Sequence, residues 1–112
     1  MKIDIMQLEF IDLKLRHMAI ETESSFRVEF EITSLYRIGD NGVHGQLPLR
    51  GLDFGCRHEA IGKAVEGYVN SYWQYDPSRP EKVCCMYHKT KTGQYHLHLQ
   101  VHPNTVRVGM SQ

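Results

Sequence analysis

Residues 83–102, VCCMYHKTKTGQYHLHLQVH, decide how this chain folds. From 94 to 102 the residues alternate. Tyr95, Leu97, Leu99 and Val101 fall on one side, and Gln94, His96, His98, Gln100 and His102 on the other. That period of two marks a strand with one buried face. Val83, Cys85 and Tyr87 alternate in the same way with Cys84, Met86 and His88. Between the two runs lies Thr90-Lys91-Thr92-Gly93, a short polar segment whose glycine suits the left-handed position of a bulged hairpin turn.

The turn sets the register, and a slip of one residue would invert every side chain. With the bulge, His88 stands opposite His96, Met86 opposite His98 and Cys84 opposite Gln100. Val83, Cys85, Tyr87, Tyr95, Leu97, Leu99 and Val101 then share the core face. An unbulged loop would put Cys84, Met86 and His88 on that face instead. The bulged register is preferred, because it places glycine where the turn needs it and brings Val83 and Tyr87 into the core.

Four of the seven histidines lie in this ribbon. Opposed residues on one sheet face have Cβ atoms about 4.5–5.5 Å apart, within reach of a shared ion. His88, His96 and His98 are therefore the candidate ligands for a zinc-like ion, with Cys84 or His102 as substitutes. The competing readings of this face are a solvated polar surface and a histidine-lined contact surface. No paired CxxC or HExxH spacing is present.

The chain has 112 residues, enough for a single α+β domain spanning 1–112. Thirteen Lys+Arg balance thirteen Asp+Glu. That balance argues against a nucleic-acid binder relying on a broad basic field and is compatible with self-association, so a homodimer is one expectation. Cys84 and Cys85 are adjacent on a strand and point to opposite faces. Reduced thiols and a cytoplasmic location are expected rather than a disulfide framework. No apolar run reaches the ~18–20 residues of a membrane span, and no signal peptide is read at the start.

Upstream, the alternation changes phase between Ile3/Ile5, Leu8/Phe10 and Ile11/Leu13/Leu15. The phase change favours strand, with a bulge, over residues 4–16 and up to Ile20. A helix on Ile5, Leu8, Ile11 and Leu15 is the alternative. Residues 21–25 read as a turn. Phe26, Val28, Phe30 and Ile32 then alternate with charged residues, predicting a long strand over 26–38. Residues 39–55 hold five of the nine glycines, together with Pro48, and read as a long loop.

Residues 57–75 predict a helix. Ala60, Ile61, Ala64, Val65, Tyr68, Val69, Tyr72 and Trp73 form its stripe, and Lys63, Glu66, Asn70 and Gln74 lie opposite. Asp53 is a candidate N-cap, and Asp76-Pro77 the stop. Gly62 and Gly67 flank the stripe, where close backbone approach to the sheet is the preferred explanation. Val106 and Val108 predict a last short strand. The expected architecture is thus α+β: an antiparallel sheet of about four to five strands (hairpin, long loop, one helix, hairpin), with the helix packed on one sheet face.

No enzyme class finds all its parts. His58-Glu59 begins like the helical zinc motif, but Gly62 stands where its second histidine belongs. His96-Leu97-His98 resembles the HxH of cupin sheets without the later carboxylate and histidine. His88-Lys89-Thr90 fits one half of a two-histidine phosphoesterase, and there is no second half. Asp53-Phe54-Gly55 matches the kinase metal triplet by coincidence. No catalytic residue is assigned.

The leading expectation is a small protein-binding module, an adaptor or inhibitor of the kind phage or mobile elements encode. Its partner is another protein, contacted through Trp73, Tyr72, Tyr75, Arg79, Arg50 and His44. The alternative is a zinc-dependent hydrolase or metal-binding protein that uses the histidine face.

Overall fold

Four rows of residues cross the sheet at its centre. Strands β2 (Gly51–Gly55), β4 (Cys85–Lys89) and β5 (Tyr95–Gln100) are antiparallel, with β5 between the other two. Leu52, Leu99 and Cys85 stand abreast, and Phe54, Leu97 and Tyr87 form the next inward row. Asp53, His98 and Met86 form a row on the opposite face, beside Gly55, His96 and His88. The pairing is the one expected with a bulged turn: His88 pairs with His96 and Met86 with His98. Beyond β2 lies β1 (Ile32–Ser34), also antiparallel, with a register shift between Ile32 and Ser34.

The computed structural model describes residues 11–26, 32–34, 50–89 and 95–108. The turn at 90–93, the strand expected before residue 11, most of the one expected at 26–38, and His44 lie outside these residues.

The inner sheet face is covered by helix α2 (Glu59–Tyr72), which lies against β4 and β5. Gly62, Val65 and Val69 are buried, with Ile61, Tyr68 and Tyr72 packed at the margins. Ala60 and Ala64, expected in the stripe, are exposed. The helix is shorter than the 57–75 span expected. It begins after His58, which offers no side-chain cap, and Asp53 is not its cap but a strand residue. At its other end Trp73 is extended, and Trp73–Gln74 form β3. β3 pairs with β6 (Val106–Arg107), the expected last strand.

Two expectations fail in the first half of the chain. Residues 13–26, read as the end of a strand, a turn and the first residue of the next strand, form a second helix, α1 (Leu13–Phe26). Its buried residues, Leu15, Met18, Ala19 and Thr22, sit at i, i+3, i+4 and i+7. Thr22 hid the helical period, because it reads as polar. It is fully buried, and its hydroxyl donates to the Met18 carbonyl at 2.7 Å. Asp12 starts the helix, accepting the Lys14 amide at 2.8 Å. Phe26 therefore ends a helix, and the described strand in the expected 26–38 span is Ile32–Ser34.

The second failure is in the expected loop. Residues 51–55 form β2, flanked on either side by β1 and β5. Leu52 and Phe54 are fully buried, and each contributes about 1.5–3 kcal/mol by leaving water. The glycines at each end of so short an alternation disguised it. α1 packs against α2 and β5, so both helices share the inner side of the sheet.

Candidate functional site

The outer face of the β2–β5–β4 sheet gathers a carboxylate and three imidazoles. Cross-strand pairing sets Asp53 against His98, and the period of two sets His96 beside it on the same face. β4 adds His88 directly opposite His96. The rigid inner rows underneath hold these four Cα positions, because their core partners Leu52, Phe54, Leu97 and Leu99 are at most 1% exposed.

The closest contact is between Asp53 Oδ1 and His98 Nδ1, 2.6 Å apart with both side chains mostly covered. The other ring nitrogen, Nε2, faces Gln100 Oε1 at 3.2 Å. Gln100 Nε2 in turn donates to the Val83 carbonyl at 2.8 Å. Beside this chain the rings of His88 and His96 meet edge to face, with centroids 4.0 Å apart. Partial burial lowers the pKa of His96, and the nearby charge of His88 lowers it further, while Asp53 works against both. His96 is thus favoured neutral, and a neutral imidazole is the form that binds metals or accepts protons.

Among the described residues, no three His, Cys, Asp or Glu side chains already converge to hold an ion. Of the expected ligands, His98 is in the close contact, but its partner is Asp53. His88 and His96 pair with each other. Cys84 is not a substitute ligand on this face. It is fully buried, and burial pushes its thiol up to about 12. Cys85 is displaced further upward by burial, with smaller contributions from Glu66, Cys84 and Cys56. Burial thus favours the protonated, less reactive form of both thiols. All three cysteines are free. His102 lies elsewhere, its ring beside Tyr75 and its Nδ1 accepting the Asn104 amide at 3.1 Å.

The described residues expected to form a partner surface make contacts within the chain, and all but Trp73 stay partly exposed. Trp73 is a core residue, 5% exposed, and its indole N–H donates to Glu21 at 3.3 Å. Tyr72 is half-buried beneath the Arg107 guanidinium, and Arg79 lies over Tyr75 while binding Asp76. Arg50 is half-buried next to β2, and its carbonyl accepts the Val101 amide at 2.9 Å.

Asp53 and Gln100 are the site residues that sequence reasoning missed. Asp53 was legible only through Leu52-Asp53-Phe54, an alternation too short to separate from a loop. Gln100 shares the parity of His96 and His98, which was the available signal. Comparison with protein-family models, with characterised proteins and with solved structures finds no match, so the functional reading stands on this geometry alone.

Proposed function

We propose that this chain is a small metal-dependent hydrolase that uses the outer sheet face, with Asp53 and His98 as candidate ligands and His96 and His88 beside them. The observation that carries this is the gathering of Asp53, His98, His96 and His88 on one face of a rigid sheet. A carboxylate oxygen and an imidazole nitrogen are both donors to zinc-like ions. The Asp53–His98 contact at 2.6 Å is a hydrogen bond, and it would open for the two groups to bind one ion, leaving further positions for water and substrate. An ion held there would acidify its bound water and polarise a carbonyl or phosphoryl oxygen.

The neighbouring imidazoles supply what such chemistry needs next. His96 is favoured neutral, and His88 touches it, so the pair can take up a proton from an attacking water and pass it outward. This reading is preferred to a protein-binding module, because the aromatic anchor expected for one, Trp73, is inside the core.

The test is ion uptake by protein stripped with a chelator, followed by titration with zinc or cobalt(II) in a calorimeter. The expected result is one ion per chain. Asp53→Asn and His98→Ala should each lower the affinity about 100-fold or more. Ester and peptide hydrolysis should appear with the ion and vanish in both variants. A wild-type chain that takes up no ion overturns the proposal.

A further inference from the structure

Backbone hydrogen bonds show which way each strand residue turns its polar groups. The Val101 amide donates to the Arg50 carbonyl and the Cys56 amide to the Tyr95 carbonyl, so the odd-numbered residues of β5 bond toward β2. The Gln100 amide donates to the Cys84 carbonyl, so the even-numbered ones bond toward β4. In an antiparallel pair the N–H and C=O of one residue lie on the same side of the strand. Met86 and His88, opposite His98 and His96, therefore direct these groups at β5, while Cys85 and Tyr87 turn theirs outward. Among the described residues β4 is the end of its sheet. A row of outward backbone groups is a template for a further strand.

Two side chains of α2 meet this row. Asn70 Oδ1 accepts the Cys84 and Cys85 amides at 3.2 and 2.9 Å, and its Nδ2 donates to the Cys85 carbonyl at 2.9 Å. Glu66 Oε2 accepts the Tyr87 amide at 2.8 Å. The spacing is what lets a helix do this. Four residues of helix rise ~6.0 Å, and two residues of antiparallel strand ~6.8 Å. Glu66 and Asn70, one turn apart, thus meet groups two residues apart on β4. The Asn70 amide offers Cys85 one acceptor and one donor, as a neighbouring strand would. At the far end of β4, Lys89 is exposed, with its ammonium 5.5 Å from the centre of the Tyr95 ring. A lysine on an edge strand discourages pairing.

We infer that Glu66 and Asn70 form an edge lock, standing in for the next strand on β4 and keeping a second copy of this chain from pairing there. A second copy is the occupant excluded, because two identical antiparallel edges meet about a two-fold axis and satisfy each other's groups. Net charge does not keep copies apart, since thirteen Lys+Arg balance thirteen Asp+Glu. The lock acts at the sheet edge and is independent of ion binding on the histidine face.

The test combines sedimentation equilibrium with amide exchange over a range of protein concentrations. In wild type the Cys85 and Tyr87 amides should be equally protected at every concentration. The double variant Glu66→Ala, Asn70→Ala should exchange at both positions about tenfold faster or more in dilute solution. As its concentration rises, its mass should double and the same two amides should slow again. Glu66→Gln keeps an oxygen for the Tyr87 amide and should behave as wild type. A folded double variant that stays monomeric at every concentration overturns the inference. So does one that dimerises while its Cys85 and Tyr87 amides remain fast, which would place the contact on another face. Wild-type protection that rises with concentration also overturns it, because the edge would then already be open. If the double variant does not fold, Glu66→Ala decides: its Tyr87 amide should exchange faster than in wild type and slow with concentration, and absence of that slowing refutes the lock.

Discussion

At Gly62 the ring of Tyr87 occupies the space a Cβ would take, and the crowding reaches the base of the ring, not a flexible tip. Tyr87 has little room to yield, because its other contacts include a near-parallel stack on Tyr95, at 5.7 Å and 11°. Alanine is the better helix former by about 1 kcal/mol, but overpacking of this kind costs about 1–3 kcal/mol. Gly62→Ala should therefore destabilise the fold on balance, seen as a lower urea midpoint at unchanged slope. Gly67→Ala is the control. Nothing lies within 4 Å of its Cβ position, so the helix-propensity gain of about 0.5–1 kcal/mol should appear undiminished. Close backbone approach was legible in the sequence as the reason for a glycine, but it holds for Gly62 and not for Gly67. Both flank the helical stripe, and only the position of β4 separates them.

At the scale of elements, α2 holds β4 through a side chain the helical wheel assigned to solvent. Asn70 Oδ1 accepts the amides of Cys84 and Cys85 at 3.2 and 2.9 Å, and its Nδ2 donates to the Cys85 carbonyl at 2.9 Å. Glu66, one turn earlier, accepts the Tyr87 amide at 2.8 Å. These bonds serve backbone groups on the edge of β4 that the β5 pairing leaves over. Asn70→Ala should cost about 1–3 kcal/mol for each buried group left without a partner. Amide exchange at Cys84 and Cys85 should accelerate more than exchange in β5, and uniform acceleration across both strands would contradict the assignment. The wheel could not reveal this, since it sorts polar from apolar and has no knowledge of a strand edge. α1 was missed for a related reason: Thr22 is apolar in its packing and polar only in its letter.

At the scale of the whole molecule, a carboxylate joins the two turns that flank the small β3–β6 ribbon. Asp76, 5% exposed, accepts the Ser78 amide and hydroxyl, the Arg79 guanidinium and the Asn104 amide. The Ser78 hydroxyl and amide bonds, followed by those from Arg79 and Asn104, hold its pKa well below the usual carboxylate range against the effect of burial. A carboxylate lowered in the folded state stabilises at pH values above its unfolded pKa, and that contribution is lost as pH falls toward the folded value. Asp76→Asn should thus lower the melting temperature at pH 7, and the gap from wild type should narrow below about pH 4. A gap that stayed constant from pH 7 to pH 3 would count against the carboxylate as the source. The sequence by itself determined the hairpin register and the helix beneath it, since both follow from the spacing of apolar residues along one continuous segment. The gathering of histidines on one sheet face was determined in the same way. Only the tertiary structure decided that a five-residue run with a glycine at each end is a central strand, that its aspartate meets His98, and that Trp73 lies inside. Those outcomes depend on which segments become neighbours, and a side chain's chemistry is set by neighbours that lie far away along the chain.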